Sequence, residues 1–131
     1  MVFATAYRKR YAMAHPRPKL EVAFFRAESG AEPVRLWLRA LPKCDRRAIG
    51  RQIRTVQFGW PVGMPVVRKL EESLWEIRLH LDRRTARVIF TVVDSVAILV
   101  HGFIKKGRKI SKPDLAVARQ RARALRAAGP Y

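Results

Sequence analysis

Between Leu74 and Ile104 apolar positions recur in three runs separated only by short polar breaks. Over Leu74–Leu81, Trp75, Ile77, Leu79 and Leu81 fall on one side and Leu74, Glu76, Arg78 and His80 on the other. A period of two is the mark of a half-buried strand. Ala86–Val93 is rich in β-branched residues and predicts a second strand, Asp94-Ser95 a turn, and Val96–Ile104 a third strand. Breaks this short permit only antiparallel hairpins, because a parallel pair needs a long crossover. The pattern therefore predicts a three-stranded antiparallel meander.

The flanking segments complete a small domain. Leu20–Arg26 alternates through Leu20, Val22 and Phe24 and predicts a strand at or beside the edge of the meander. Ser29-Gly30-Ala31-Glu32 has capping-box spacing and Pro33 suits a first helical turn. A helix is expected from there to about Leu41, with Val34, Trp37, Leu38 and Leu41 on one face and Leu41-Pro42 as its stop. A second helix is expected from Lys43 to Phe58, with Ala48, Ile49, Ile53 and Val56 as its apolar stripe. Gly59–Val67 reads as a loop punctuated by glycine and proline, and Glu71-Glu72 as a turn. Ser111 with Asp114 starts a last helix carrying Leu115, Ala118, Ala122 and Leu125. The expected order is β-α-α-β-β-β-α: one α+β domain over residues 20–131, its helices packed on one face of an antiparallel sheet. Residues 1–19 are basic and aperiodic and predict a flexible extension, within which Met13 is a second candidate start.

Charge changes the picture. The chain has 131 residues and a formal net charge of +18, from 28 Lys and Arg against 10 Asp and Glu, while 49% of it is hydrophobic. That composition supports a packed core and points to a polyanionic partner. No apolar run approaches the roughly 20 residues of a spanning helix, no secretory leader is evident, and the cytoplasm is the expected compartment. Cys44 is the sole cysteine, and His15, His80 and His101 are scattered, so no metal site and no cofactor are expected. Neither a phosphate-binding loop nor a dinucleotide fingerprint occurs. With so few carboxylates, two-metal and paired-carboxylate chemistries are poor fits.

Metal-free RNA cleavage remains. RNA carries its own nucleophile, the 2′-hydroxyl, and the protein need only align it, move protons and stabilise the charged phosphorane. Arg78, Arg87, Lys105 and Lys106 are candidates for charge stabilisation, and His80 and His101 for proton transfer. Arg84, Arg108 and Lys109 add phosphate-binding charge, and Trp75 or Phe103 could stack a base. Each has a plain structural alternative: Trp75 and Phe103 as core, His101 as a hydrogen-bonded strand residue, the run Lys105–Lys109 as a solvated loop.

Four segments look familiar together: EPVRLWLRALP at Glu32–Pro42, FGWPVGMPVVRKLEESLWEIR at Phe58–Arg78, ARVIFTV at Ala86–Val92 and HGFIKKGRKISKPDLAVAR at His101–Arg119. In this order and spacing the chain resembles the RelE/ParE toxin superfamily of type II toxin–antitoxin systems, and within it the HigB-like, phage-derived branch. The resemblance implies a compact RelE-like fold and a metal-independent endoribonuclease that cuts mRNA on the ribosome and so inhibits translation. It implies one partner besides ribosome and mRNA, a cognate antitoxin, often a helix-turn-helix repressor, with which a toxin–antitoxin hetero-oligomer would form. It carries catalytic roles to Arg78, Arg87 and Lys106, with His101 as a candidate in place of a C-terminal tyrosine that this chain lacks. Glu76 stands where some members have a lysine. Two alternatives stay open: a ParE-like toxin that inhibits DNA gyrase, and a non-catalytic nucleic-acid-binding prophage relic.

Overall fold

The computed structural model describes residues 3–7 and 17–128. Its strands are β1 (Phe3–Tyr7), β2 (Glu21–Arg26), β3 (Val67–Glu71), β4 (Leu74–Leu81), β5 (Arg84–Val93) and β6 (Val96–Ile104). Its helices are α1 (Pro33–Ala40), α2 (Lys43–Gly59) and α3 (Lys112–Ala127). The six strands form one sheet in the order β1-β2-β6-β5-β4-β3. The predicted meander is its centre: β4, β5 and β6 pair antiparallel in sequence. Asp94 and Ser95 both take positive φ (48° and 63°), the handedness that suits a two-residue hairpin turn.

Five features depart from expectation. β2 runs parallel to β6, so the sheet is mixed. β1 pairs antiparallel along the outer side of β2 and makes it an inner strand; this short piece lies within the segment predicted as a flexible extension, most of which is outside the described residues. Val67–Glu71, read as loop end and turn, is an edge strand against β4. The helices cover both faces of the sheet, where one was expected. On one face α1 and α2 bury Val34, Ile49, Ile53 and Val56 against Val22, Ile77, Val88, Phe90 and Leu99. On the other α3 buries Ala118, Ala122 and Leu125 against Ala23, Phe25, Ile89, Ile98 and Val100. The physical reason is that the central strands are apolar on both faces, and each face needs a cover. At the start of α1 the capping-box expectation also fails: Glu32 is the N-cap residue but makes no capping bond and pairs with Arg35 at 3.1 Å.

One irregularity positions the site. Ile89 pairs with His101 and Phe90 with Leu99, which leaves Val100 unopposed as a β-bulge. A bulge reverses the alternation beyond it. Ile98 and Val100 face α3, and after the bulge His101 and Phe103 face α3 as well, while Gly102 turns toward α1.

Candidate functional site

α3 covers only part of its face of the sheet. Beyond it the cross-strand register sets polar side chains in rows. Arg78, Arg87 and Phe103 lie opposite one another on β4, β5 and β6. The next row holds Arg68, Glu76, Ile89 and His101. Such direct neighbours stand only about 5 Å apart across a sheet. Of these, Arg68, Glu76, Arg78, Arg87 and Phe103 line a cavity of about 260 Å³, together with Leu70, Lys105, Arg108, Lys109, Ile110 and Leu115.

Its electrostatics are lopsided. Arg68, Arg78, Arg87, Lys105, Arg108 and Lys109 line it, and Glu76 is the one carboxylate among the described residues that does. Glu76 and Arg87 are each only 4% exposed. Glu76 Oε1 stands 3.4 Å from Arg87 Nε and 3.7 Å from Arg78 Nε. Arg78 Nε is buried with no hydrogen-bond partner, and the Arg78 guanidinium also touches Met64 Sδ at 3.5 Å. Burial lowers the Arg87 pKa, Glu76 opposes that, and Arg78 and Arg68 add to it; a guanidinium nonetheless stays charged. The Lys105 pKa is lowered too, first by desolvation and then by Arg87 and Arg78. A single carboxylate leaves this cluster short of negative charge, a setting that suits an anion.

His101 borders the basin. Its ring stacks on Phe103 at 5.4 Å and its Nε2 lies 2.7 Å from Asp114 Oδ1. Ser111 Oγ donates to Asp114 Oδ2 at 2.6 Å and accepts from Asp114 N, capping α3. Burial pushes the Asp114 carboxyl up, but hydrogen bonds from His101 and Ser111 and the charge of Lys106 outweigh it, so the net shift is downward. An ionised Asp114 can only accept, so Nε2 of His101 carries the hydrogen and Nδ1 is the basic nitrogen of the neutral ring. A carboxyl with a depressed folded-state pKa stabilises fully above its unfolded value and loses that contribution as pH falls through the folded one. Asp114→Asn is therefore expected to cost about 1 kcal/mol at neutral pH. Thermal unfolding across pH checks it: the gap to wild type should close below about pH 4.

The structure brings together Arg78, Arg87, Lys105, Arg108, Lys109, Phe103 and, at the margin, His101. Lys106 is exposed and absent from the basin lining, and its charge acts on Asp114. Arg84 and Trp75 are on the α1/α2 face. Arg84 closes an ion pair with Asp45 in the first turn of α2. Trp75 packs within 5.5–5.9 Å of Trp60 and Phe90, part of the core on that side. His80 is exposed, its Nδ1 3.4 Å from Thr85 Oγ1. Sequence reasoning missed Arg68, because it sits in the unrecognised edge strand β3, and Asp114 as the partner of His101, because 13 residues separate them in the chain. Among the described residues no group of three or more His, Cys, Asp or Glu side chains could hold a metal ion, and no helix is long and apolar enough to cross a membrane.

Residues 36–123, more than half of the chain, match the family described as phage derived protein Gp49-like (DUF891). No curated protein matches the chain.

Proposed function

The chain belongs to the Gp49-like family of phage-derived proteins, part of the RelE/ParE-like toxin–antitoxin superfamily, and from that premise we propose that it is the toxin of such a pair and a metal-independent endoribonuclease acting on mRNA at the ribosome. The observation that carries this reading is the convergence of Arg78, Arg87 and Lys105 in one basin with a single carboxylate, Glu76. A binding protein needs cations spread along a backbone; cleavage needs them focused where charge develops.

In this mechanism the 2′-oxygen attacks the adjacent phosphorus, the phosphorus–O5′ bond breaks, and the products are a 2′,3′-cyclic phosphate and a 5′-hydroxyl. Arg78 and Arg87 hold the non-bridging oxygens and neutralise the phosphorane. His101, oriented by Asp114, takes the 2′-hydroxyl proton at Nδ1. Lys105 gives a proton to O5′; it takes this part in place of Lys106, which is outside the basin lining. Phe103 offers a ring to a neighbouring base. The partner that silences the toxin is a cognate antitoxin, whose acidic groups would complement the basin.

Primer extension on mRNA in a purified translation reaction, with and without ribosomes, tests the reading. Ribosome-dependent cuts bearing 5′-hydroxyl ends are expected. Growth arrest with RNA left whole would remove it and make DNA gyrase the next target.

The assignment of Lys105 has a pH signature. An acid must be protonated, so the rate falls as pH rises through the Lys105 pKa, which burial and the neighbouring arginines set below the ordinary value of about 10.4. Removing one of those charges in Arg78→Gln raises that pKa. The alkaline limb of the single-turnover pH–rate profile should move to higher pH while the maximal rate drops.

A further inference from the structure

Arg78 and Arg87 line two clefts. Besides the basin there is a second cleft of about 420 Å³, bounded by α2 and the open end of β4 and walled by Gln52, Pro65, Val66, Leu79 and His80. It exists because β4 outruns its partner. β3 pairs with it as far as Val67 opposite Ile77, and Val66 O accepts from Arg78 N at 2.8 Å. Past Arg78 no strand among the described residues covers that side of β4. Gln52 Nε2 donates to Arg78 O at 3.1 Å, so both main-chain groups of Arg78 point to this side. Strand alternation aims the N–H and C=O of His80 at the same open edge.

We propose that this cleft receives the base of the nucleotide adjoining the phosphate held by Arg78 and Arg87, and that His80 and Gln52 determine which base is accepted. The inference rests on the nuclease reading and says how that site chooses its sequence. The volume lies within the ~300–1,000 Å³ of ordinary ligand clefts. Pro65, Val66 and Leu79 offer apolar surface to the faces of a base. The polar groups besides the arginines are an amide, an imidazole and an open strand edge, which are donors and acceptors suited to base edges. The basin, the other cleft on the arginine pair, is different: Phe103 and Leu115 offer apolar surface there among the cations. Two unlike clefts meeting at one cation pair fit a single strand whose phosphate sits on the pair while its two bases splay apart, as single-stranded RNA does when its bases are read.

Mapping of 5′-hydroxyl ends over a mixed-sequence mRNA pool, with ribosomes present, tests this in wild type, His80→Ala and Gln52→Leu. Wild type should favour one base next to the cut by tenfold or more, about the discrimination of one good base contact. His80→Ala should lower kcat/KM at favoured sites about tenfold and flatten the preference at that position, leaving the preference on the other side of the cut in place. A merely structural role would slow all sites alike. Unchanged preferences in both variants would therefore overturn the inference while the nuclease stands. A wild type that leaves the pool whole overturns both, and is told apart because the failure is then in the unmutated protein.

Discussion

Arg87→Ala lowers single-turnover cleavage by about 10²–10³-fold and abolishes growth arrest, if Arg87 stabilises the phosphorane as proposed. The magnitude is that of losing one preorganised donor from a charge-stabilising site. Arg87→Ala also carries a structural cost that the experiment must separate. Arg87 is 4% exposed and pairs with Glu76, also 4% exposed. Truncating one member of a buried ion pair leaves the other uncompensated, at a cost of about 3–5 kcal/mol. Arg78 stays within 3.7 Å of Glu76, which reduces that cost. Two further variants separate charge from folding. Arg87→Ala with Glu76→Gln removes both charges and should recover much of the stability with none of the rate. Arg87→Lys keeps a charge but not the two parallel donors, and should retain the fold with an intermediate rate. Equal cleavage by wild type and by a folded Arg87→Ala/Glu76→Gln protein would remove Arg87 from the mechanism.

Among the described glycines, Gly102 is the one at which alanine is expected to do the most damage. A Cβ at Gly102 would lie 2.4 Å from Trp37 Cε3 and 2.5 Å from Cζ3, closer than real contacts allow. Trp37 packs in α1 against the core on that face of the sheet. The indole would have to slide on β6 or lift α1, and overpacking of this kind costs about 3 kcal/mol. For a domain of this size that is roughly a 10 °C fall in Tm, read by calorimetry. Trp37→Leu makes room, so the double variant should be less unstable than the two single losses added together. Strict additivity would mean that the two side chains do not meet. Cleavage should suffer as well, since Gly102 separates His101 and Phe103 and a displaced β6 moves both.

The strongest local signals in the chain were legible without any structure. The alternation of Trp75, Ile77, Leu79 and Leu81 marked β4 and one of its two covered faces, and all four belong to the α1/α2 core. The Asp94-Ser95 turn tied β5 to β6, and Ser111 with Asp114 started α3. Each is a short-range rule: a period of two, a turn needing positive φ, an orphan N–H seeking a cap. The neighbouring segment was not legible for the same reason. Val67–Glu71 is half exposed at an edge and shows little alternation, so only its pairing with β4 makes it a strand.

The site divides along the same line. Composition and spacing determined that cations cluster on the strands around Arg78 and Arg87 and in the segment after β6, with Glu76 as a rare carboxylate among them. Which of them meet depended on register, on the placement of the helices and on the bulge at Val100. Sequence alternation cannot say where it will be reversed, because a bulge is a property of two paired strands. That one extra residue turns His101 and Phe103 onto the face of Arg78 and Arg87, with His101 in reach of Asp114. Arg84 and Trp75, as prominent in sequence as any of them, went to the opposite face, where Asp45 and the aromatic core take them up. The sequence by itself determined which strands form and how much positive charge they carry. Only the tertiary structure decided which charges share a face, because cross-strand register and bulges arise from pairing between segments far apart in the chain.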